Sequence, residues 1–301
     1  MGRDLALLIP EIAVLLAAVS ALIAEILRRP RASLALAMLG LFVATGLTIR
    51  LVGTDTTVFG GSFRIDALSI WAKLILLPAT MLSLLLASAE VRGTVREGTV
   101  YSLLCLATVG ALILAGAGDM MFLVLGLLLT SLATFALVAY PDDDPATEAA
   151  MKYFVFGSVA GAVMIFGLTY WFGAAGSTMI ADLEGTEAIP LAVIFGLVAV
   201  IVGLGYKASL VPFHFWVPDA YEGGPLSVAA FLSVVPKVGA LFALTQVFRD
   251  LPSESGGPAV IAGLAVLSMT YGYLAALVQD NVVRLLAYSS IAQSGYFLLG
   301  I

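Results

Sequence analysis

The sequence has one cysteine and one histidine, and only 11% of its residues are charged. Cys105 alone cannot form an intrachain disulfide and supplies neither a zinc set nor an iron–sulfur set. With His214 as the single imidazole, a haem pair or a transition-metal site has too few strong ligands. No dinucleotide fingerprint or P-loop is present. The chain is therefore read as carrying no redox centre, no metal and no cofactor of its own. It also lacks a basic patch or tail, and its net charge is −6. It offers nucleic acid no electrostatic footprint.

Apolar residues are what it has. Hydrophobic residues make up 61% of the chain, with a mean hydropathy of +1.08; soluble domains have roughly 45–50%. The apolar runs are continuous and do not alternate, which predicts helices in a bilayer and argues against a closed barrel. The 301 residues give room for about ten helices of ~20 residues. Basic residues Arg28, Arg29 and Arg31 follow the first apolar run, where a signal peptide would have them in front. That run is read as a retained helix.

Hydropathy predicts spans at about Leu5–Leu27, Leu34–Val52, Ala67–Ala89, Val100–Gly116, Asp119–Tyr140 and Tyr153–Phe172. Four more follow at Ile189–Pro212, Leu226–Val247, Val260–Val278 and Val282–Ile301. The seventh has a broken continuation to Trp216. A polar loop with Gly60 and Gly61 separates the second and third spans, and the acidic stretch Pro141 to Glu148 is read as a loop after the fifth. The fold expected is all-α, a polytopic membrane protein. With the N-terminus outside, Arg28, Arg29, Arg31, Arg92, Arg96, Lys152 and Arg284 lie in cytoplasmic loops. Arg3, Arg50, Arg64 and Arg249 lie outside. The basic majority is then inside, as the positive-inside rule requires. The last run ends at Ile301 without a polar flank, which reads as a fragment or a shortened relative.

Two lysines interrupt this apolar pattern. A lysine at mid-membrane costs about 2.5–3.5 kcal/mol on insertion scales. Lys207 lies in the seventh span, five residues before Pro212, whose ring clashes with the carbonyl of Ala208. Freed carbonyls survive in a bilayer only where protein or water meets them, and broken helices beside ionisable groups mark ion sites in transporters. Lys237 lies near the middle of the eighth span, directly after Pro236. A lysine taken out of water can change its protonation state during function. The competing reading for both is a side chain that snorkels to the interface. His214, in PFHFW just past the break, can either pass protons near neutral pH or pack as a hydrogen-bonded ring.

Other polar residues have plainer readings. Lys73, five residues before Pro78, is read as snorkelling or as a subunit contact. Glu11, Glu25 and Glu90 are read as interfacial, and Asp119 as the start of a helix. Asp219 and Glu222 fall in PDAYEGGP, read as a turn with a helix start after it. Gly157, Ser158 and Gly161 have the spacing of close helix packing.

Three ordered motifs carry a family resemblance: MKYFVFGSVAGAVMIFGLTYWFGAAGST (Met151 to Thr178), GLGYKASLVPFHFWVPDAYEGGPLSVAAFLSVVPK (Gly203 to Lys237) and NVVRLLAYSSIAQSGY (Asn281 to Tyr296). With them the chain resembles the antiporter-like membrane subunits of complex I, in particular the subunit N type of bacterial NADH-quinone oxidoreductase. That family has three leading helices, two inverted five-helix repeats and a final helix. The resemblance implies leading helices over residues 1–98, a first repeat over 99–250 with its seventh span discontinuous, and an incomplete second repeat over 251–301.

It further implies a proton relay through Lys207, Lys237 and His214, with quinone reduction elsewhere in the complex driving proton translocation. The partners implied are the other membrane subunits of complex I and the lipid bilayer of a bacterial plasma membrane. NADH, FMN, iron–sulfur clusters and a quinone would sit on other subunits. Two departures stand out. Leu128 occupies the position where the family has a glutamate paired with the lysine of the seventh span. Gln293 stands where the family reads histidine, and an amide takes up no proton at neutral pH. A subunit of a multi-subunit sodium/proton antiporter, a membrane-bound hydrogenase or a non-pumping scaffold are the alternatives.

Overall fold

The computed structural model describes residues 2–94, 96–183, 191–249, 251 and 256–301, with residues 2, 3 and 183 described by backbone alone. In chain order come the short α1 (Gly2–Leu7) and the long α2 (Ile9–Ile26) and α3 (Pro30–Arg50). A hairpin of β1 (Thr56–Val58) and β2 (Phe63–Ile65) leads into α4 (Ala67–Glu90), α5 (Glu97–Ala115), α6 (Met120–Val138) and α7 (Asp144–Ala175). Then come α8 (Leu191–Ala208), the short α9 (Val217–Gly223), α10 (Leu226–Phe248), α11 (Gly257–Ala276) and α12 (Val282–Leu298). Among the described residues, nine helices are long and apolar enough to cross a membrane, and α12 follows with 17 residues. The ten expected spans are thus recovered in order as helices. The expected start of the seventh at Ile189 and the repeat boundary at Asp250 lie outside the described residues.

The bundle is built around α5, which packs against α2, α3, α4, α6 and α10. Its Gly110 and the facing Gly126 of α6 let the two backbones approach; a Cβ at Gly110 would meet the Thr130 backbone nitrogen at 2.5 Å. Helices α7 and α8 form a second tight pair. Of the small residues expected to bring helices together, Gly157 sits against Tyr206 and Phe135, but a Cβ at Gly161 would meet nothing within 4 Å. The tightest approach of α7 to α8 runs instead through Gly167, where a Cβ would meet that of Ala199 at 2.0 Å. Cys105 is fully buried in α5.

Two loop assignments change. The polar stretch between the second and third spans holds an antiparallel hairpin with Thr56 opposite Ile65 and Val58 opposite Phe63. Its turn needs left-handed backbone at Gly60 and Gly61 (φ +69° and +104°), which glycine adopts without a Cβ clash. The hairpin's Val58, Phe63 and Ile65 are buried and pack with Ile70 against Leu7, Leu8 and Phe122, so it covers one end of the bundle. Of the acidic stretch expected as a loop, Asp144 to Glu148 are helical and open α7. Asp143 accepts from Ala146 N at 2.8 Å as the N-cap, and Pro145 occupies the first turn, where its missing N–H is not needed.

Candidate functional site

Helix α8 stops at Ala208, four residues before Pro212, as the steric argument expects. Ser209 takes left-handed backbone (φ +64°), and Leu210 N bonds back to Gly205 O at 2.8 Å, the long bond of a Schellman-type ending. Trp216 then turns back and donates its Nε1–H to Tyr206 O at 3.1 Å. Val211 N donates to Ser268 Oγ of α11 at 3.0 Å. The break is therefore held by indole and hydroxyl side chains.

Lys207 sits in the last turn of α8, where the negative end of the helix dipole favours a cation. It is fully buried, so the snorkelling reading is excluded. Its Nζ donates to three hydroxyls: Tyr153 at 2.9 Å, Ser131 at 3.1 Å and Thr134 at 3.2 Å. It also lies 5.2 Å from the centroid of the Tyr153 ring. An ammonium has three N–H donors, and here it has three acceptors. Among the described residues no carboxylate pairs with it. Hydroxyls both donate and accept, so the same cage can serve charged and neutral lysine by rotating one O–H. Tyr153 is fixed by stacking on Trp216 at 4.2 Å between centroids and by the Phe135 edge at 4.7 Å. Tyr206 OH donates to Tyr153 O at 3.0 Å.

Lys237 is 3% exposed in mid-α10. Its Nζ donates to Ser290 Oγ of α12, and Ser290 shares a 3.3 Å hydrogen bond with Tyr221 OH of α9. The Tyr221 ring lies 5.8 Å from the lysine nitrogen. The stretch expected as a turn is the helix α9, and its charges fasten it. Arg284 of α12 donates to Asp219 at 3.1 Å and Glu222 at 2.7 Å, and Lys152 of α7 to Asp219 at 3.0 Å.

His214 is buried in the break, with its ring centroid 4.6 Å from those of both Phe215 and Tyr271 in tilted contacts. Its Nδ1 is buried with no hydrogen-bond partner among the described residues. Among the described residues, neither lysine hydrogen-bonds to His214. Leu128 is 43% exposed on the outer side of α6; the α6 groups that reach Lys207 are Ser131 and Thr134. Gln293 also faces outward, 3.3 Å from Tyr273 OH, and α12 meets Lys237 through Ser290.

The reading of Lys73 changes, and the acidic residues gain partners. Glu11 and Lys73 are both buried and form an ion pair at 2.5 Å, so Lys73 does not snorkel outward. Glu90 accepts from Leu226 N and Ser227 N, each at 2.9 Å. Glu25 accepts from Gly98 N at 3.0 Å. Each of the last two carboxylates caps another helix. Asp119 is an N-cap as expected, accepting from Phe122 N at 2.8 Å. The hydroxyls around the lysines were missed. Ser131 and Thr134 do lie three apart, on one helix face, and Ser290 falls within the quoted SSIAQ motif.

Comparison with known proteins places this geometry. Residues 117–301 match the family described as NADH:quinone oxidoreductase/Mrp antiporter, TM. The chain is 40% identical to NADH-quinone oxidoreductase subunit N of Desulfovibrio desulfuricans, over 99% of this chain and 62% of that one. It is 39% identical to NADH-quinone oxidoreductase subunit N 1 of Streptomyces griseus, over 100% of this chain and 65% of that one. The chain thus spans less than two thirds of the length of these relatives. Among solved structures it resembles a chain of respiratory complex I from Thermus thermophilus, with a TM-score of 0.84 at 31% identity over 96% of this chain and 63% of that chain. It shares the fold of a chain of an archaeal membrane-bound sulfane sulfur reductase, with a TM-score of 0.88 at 24% identity over 98% and 64%. With more than half of its length matched, the chain belongs to the transmembrane family of NADH:quinone oxidoreductase and Mrp antiporter subunits.

Proposed function

We propose that this chain is a membrane-arm subunit of a respiratory NADH-quinone oxidoreductase and takes part in moving protons across a bacterial plasma membrane. The observation that carries the proposal is the Lys207 site: a fully buried lysine at a helix break, satisfied by three neutral hydroxyls. Such a site can hold or release a proton without a carboxylate partner. Lys237 with Ser290 and Tyr221 is the second station. His214, beyond the break, is assigned to the link with the cytoplasmic side, and its unpartnered Nδ1 leaves it a free position for a proton or water. The names of the subunit N relatives support the same reading.

The remaining assignments belong to this reading. The chain works beside other membrane subunits of the complex, while NADH, FMN, iron–sulfur clusters and the quinone belong to other subunits. Residues 1–98 are the leading helices, 99–250 a first five-helix repeat and 251–301 the opening of a second. The basic-loop count sets the N-terminus outside.

The test is proton uptake per NADH oxidised in inverted membrane vesicles carrying the assembled complex. Lys207→Ala and Lys237→Ala should each clearly lower proton uptake per NADH, because a positioned proton-transfer group contributes about 10²–10⁴-fold to its own step. Full pumping in both variants would leave the chain a scaffold. An assembly that oxidises no NADH would point to an antiporter subunit.

A further inference from the structure

Helix α10 carries Lys237, but nothing in its own sequence caps its start: Pro225 at the N-cap offers no side-chain hydrogen bond. The first-turn N–H groups are met by Glu90, the last residue of α4, whose two carboxylate oxygens accept from Leu226 N and Ser227 N at 2.9 Å each. The other end of α10 is held by the other end of α4. Asp66, the N-cap of α4, pairs with Arg249 at 2.5 Å and accepts from Gln246 Nε2 at 3.2 Å. Gln246 Nε2 also donates to Ala115 O at 3.3 Å, and its Oε1 accepts from Arg64 at 3.3 Å. The two antiparallel helices have 24 and 23 residues, so both measure about 35 Å at 1.5 Å per residue. The first and last residues of α4 therefore match the two ends of α10.

This matters because of what lies between. Pro236 removes one helical hydrogen bond directly before Lys237. A slip of α10 by one residue would rotate Lys237 by about 100° and shift it 1.5 Å, away from Ser290. We propose that Glu90 is a positioning residue for Lys237: with Asp66 at the far end it fixes the axial register of α10, so that Lys237 Nζ stays on the Ser290–Tyr221 pair. The proposal rests on the relay reading of Lys237 and adds to it the group that seats the relay helix.

The experiment uses the assembled complex in inverted vesicles, with Glu90→Leu, Glu90→Gln and, as control, Lys237→Ala. Proton uptake per NADH oxidised is read beside amide hydrogen exchange in the first turn of α10. Glu90→Leu should raise exchange at Leu226 and Ser227 about five-fold, the factor expected from losing one helix cap, and lower the proton ratio. Glu90→Gln keeps only one of the two acceptor oxygens and should show the same two changes at a smaller size. A purely structural carboxylate would change the amount of complex and leave the ratio per NADH intact; that result overturns the proposal. If Glu90→Leu does not assemble, Glu90→Gln decides: faster exchange with a lowered ratio supports the positioning role, and wild-type values in both overturn it. A Lys237→Ala variant with normal pumping would instead sink the relay reading itself.

Discussion

Glu11 of α2 and Lys73 of α4 meet as a buried ion pair at 2.5 Å, beneath the Phe63 ring of the hairpin, which lies 5.5 Å from the lysine nitrogen. Breaking a buried pair by removing one charge leaves the other uncompensated, at a cost of about 3–5 kcal/mol. Glu11→Gln should therefore destabilise the chain by that amount, read as a fall in the midpoint of thermal unfolding in detergent. Replacing both residues with leucine should recover most of the loss, because an apolar pair of similar volume needs no desolvation.

Tyr153→Phe separates the hydroxyl from the ring. It leaves the Trp216 stack in place and removes one of the three acceptors of Lys207. The expected stability loss is about 0.5–1.5 kcal/mol, the size of one hydrogen bond, together with a lower proton ratio in vesicles. Tyr153→Ala should cost about 3–5 kcal/mol, as a lost core aromatic does. Equal pumping by wild type and Tyr153→Phe would remove the hydroxyl from the relay.

Asp66 gives a pH dependence of stability. Burial alone would raise its pKa, but the Ser69 N–H, Arg249 and Gln246 outweigh it and hold the carboxyl below the usual carboxylate range. A depressed pKa in the folded state contributes stability that is complete above the unfolded value of about 4 and is lost as pH falls through the folded value. Unfolding temperature measured from neutral pH downward should drop across that acidic window. In Asp66→Asn, which keeps a capping oxygen but no charge, this part of the drop should disappear.

Gly239 lies two residues past Lys237, where α10 crosses α5. A Cβ there would meet the Cα and Cβ of Ala111, each at 2.9 Å. Gly239→Ala should force the helices apart at about 1–3 kcal/mol, the usual cost of overpacking. It should also weaken pumping by moving Lys237 from Ser290. An unchanged unfolding midpoint would show that the seam yields freely.

The membrane class, the order of the spans and the break in α8 were legible because each depends on local facts. Long apolar runs fix helices in lipid, and Pro212 stops α8 wherever the helix lies. The two buried lysines stood out for the same reason, since an ammonium in an apolar run is costly in any packing. The α7 start was less visible because the acidic cluster resembles a solvated loop until Asp143 is seen as a cap. The hairpin was hidden by its short strands of three residues each, too short for a periodic signal.

The sequence by itself determined that the chain lies in a membrane, where its helices fall and that two lysines need partners. Only the tertiary structure decided who those partners are. Ser131, Thr134, Tyr153, Tyr221 and Ser290 are ordinary polar residues in sequence, and they become lysine acceptors because α6, α7, α9 and α12 bring them together. It also gave the acidic residues their partners: Glu11 pairs with Lys73, and Glu25 and Glu90 each cap another helix. The physical reason is that helix formation is satisfied within one segment, whereas a buried charge is satisfied only by groups from others.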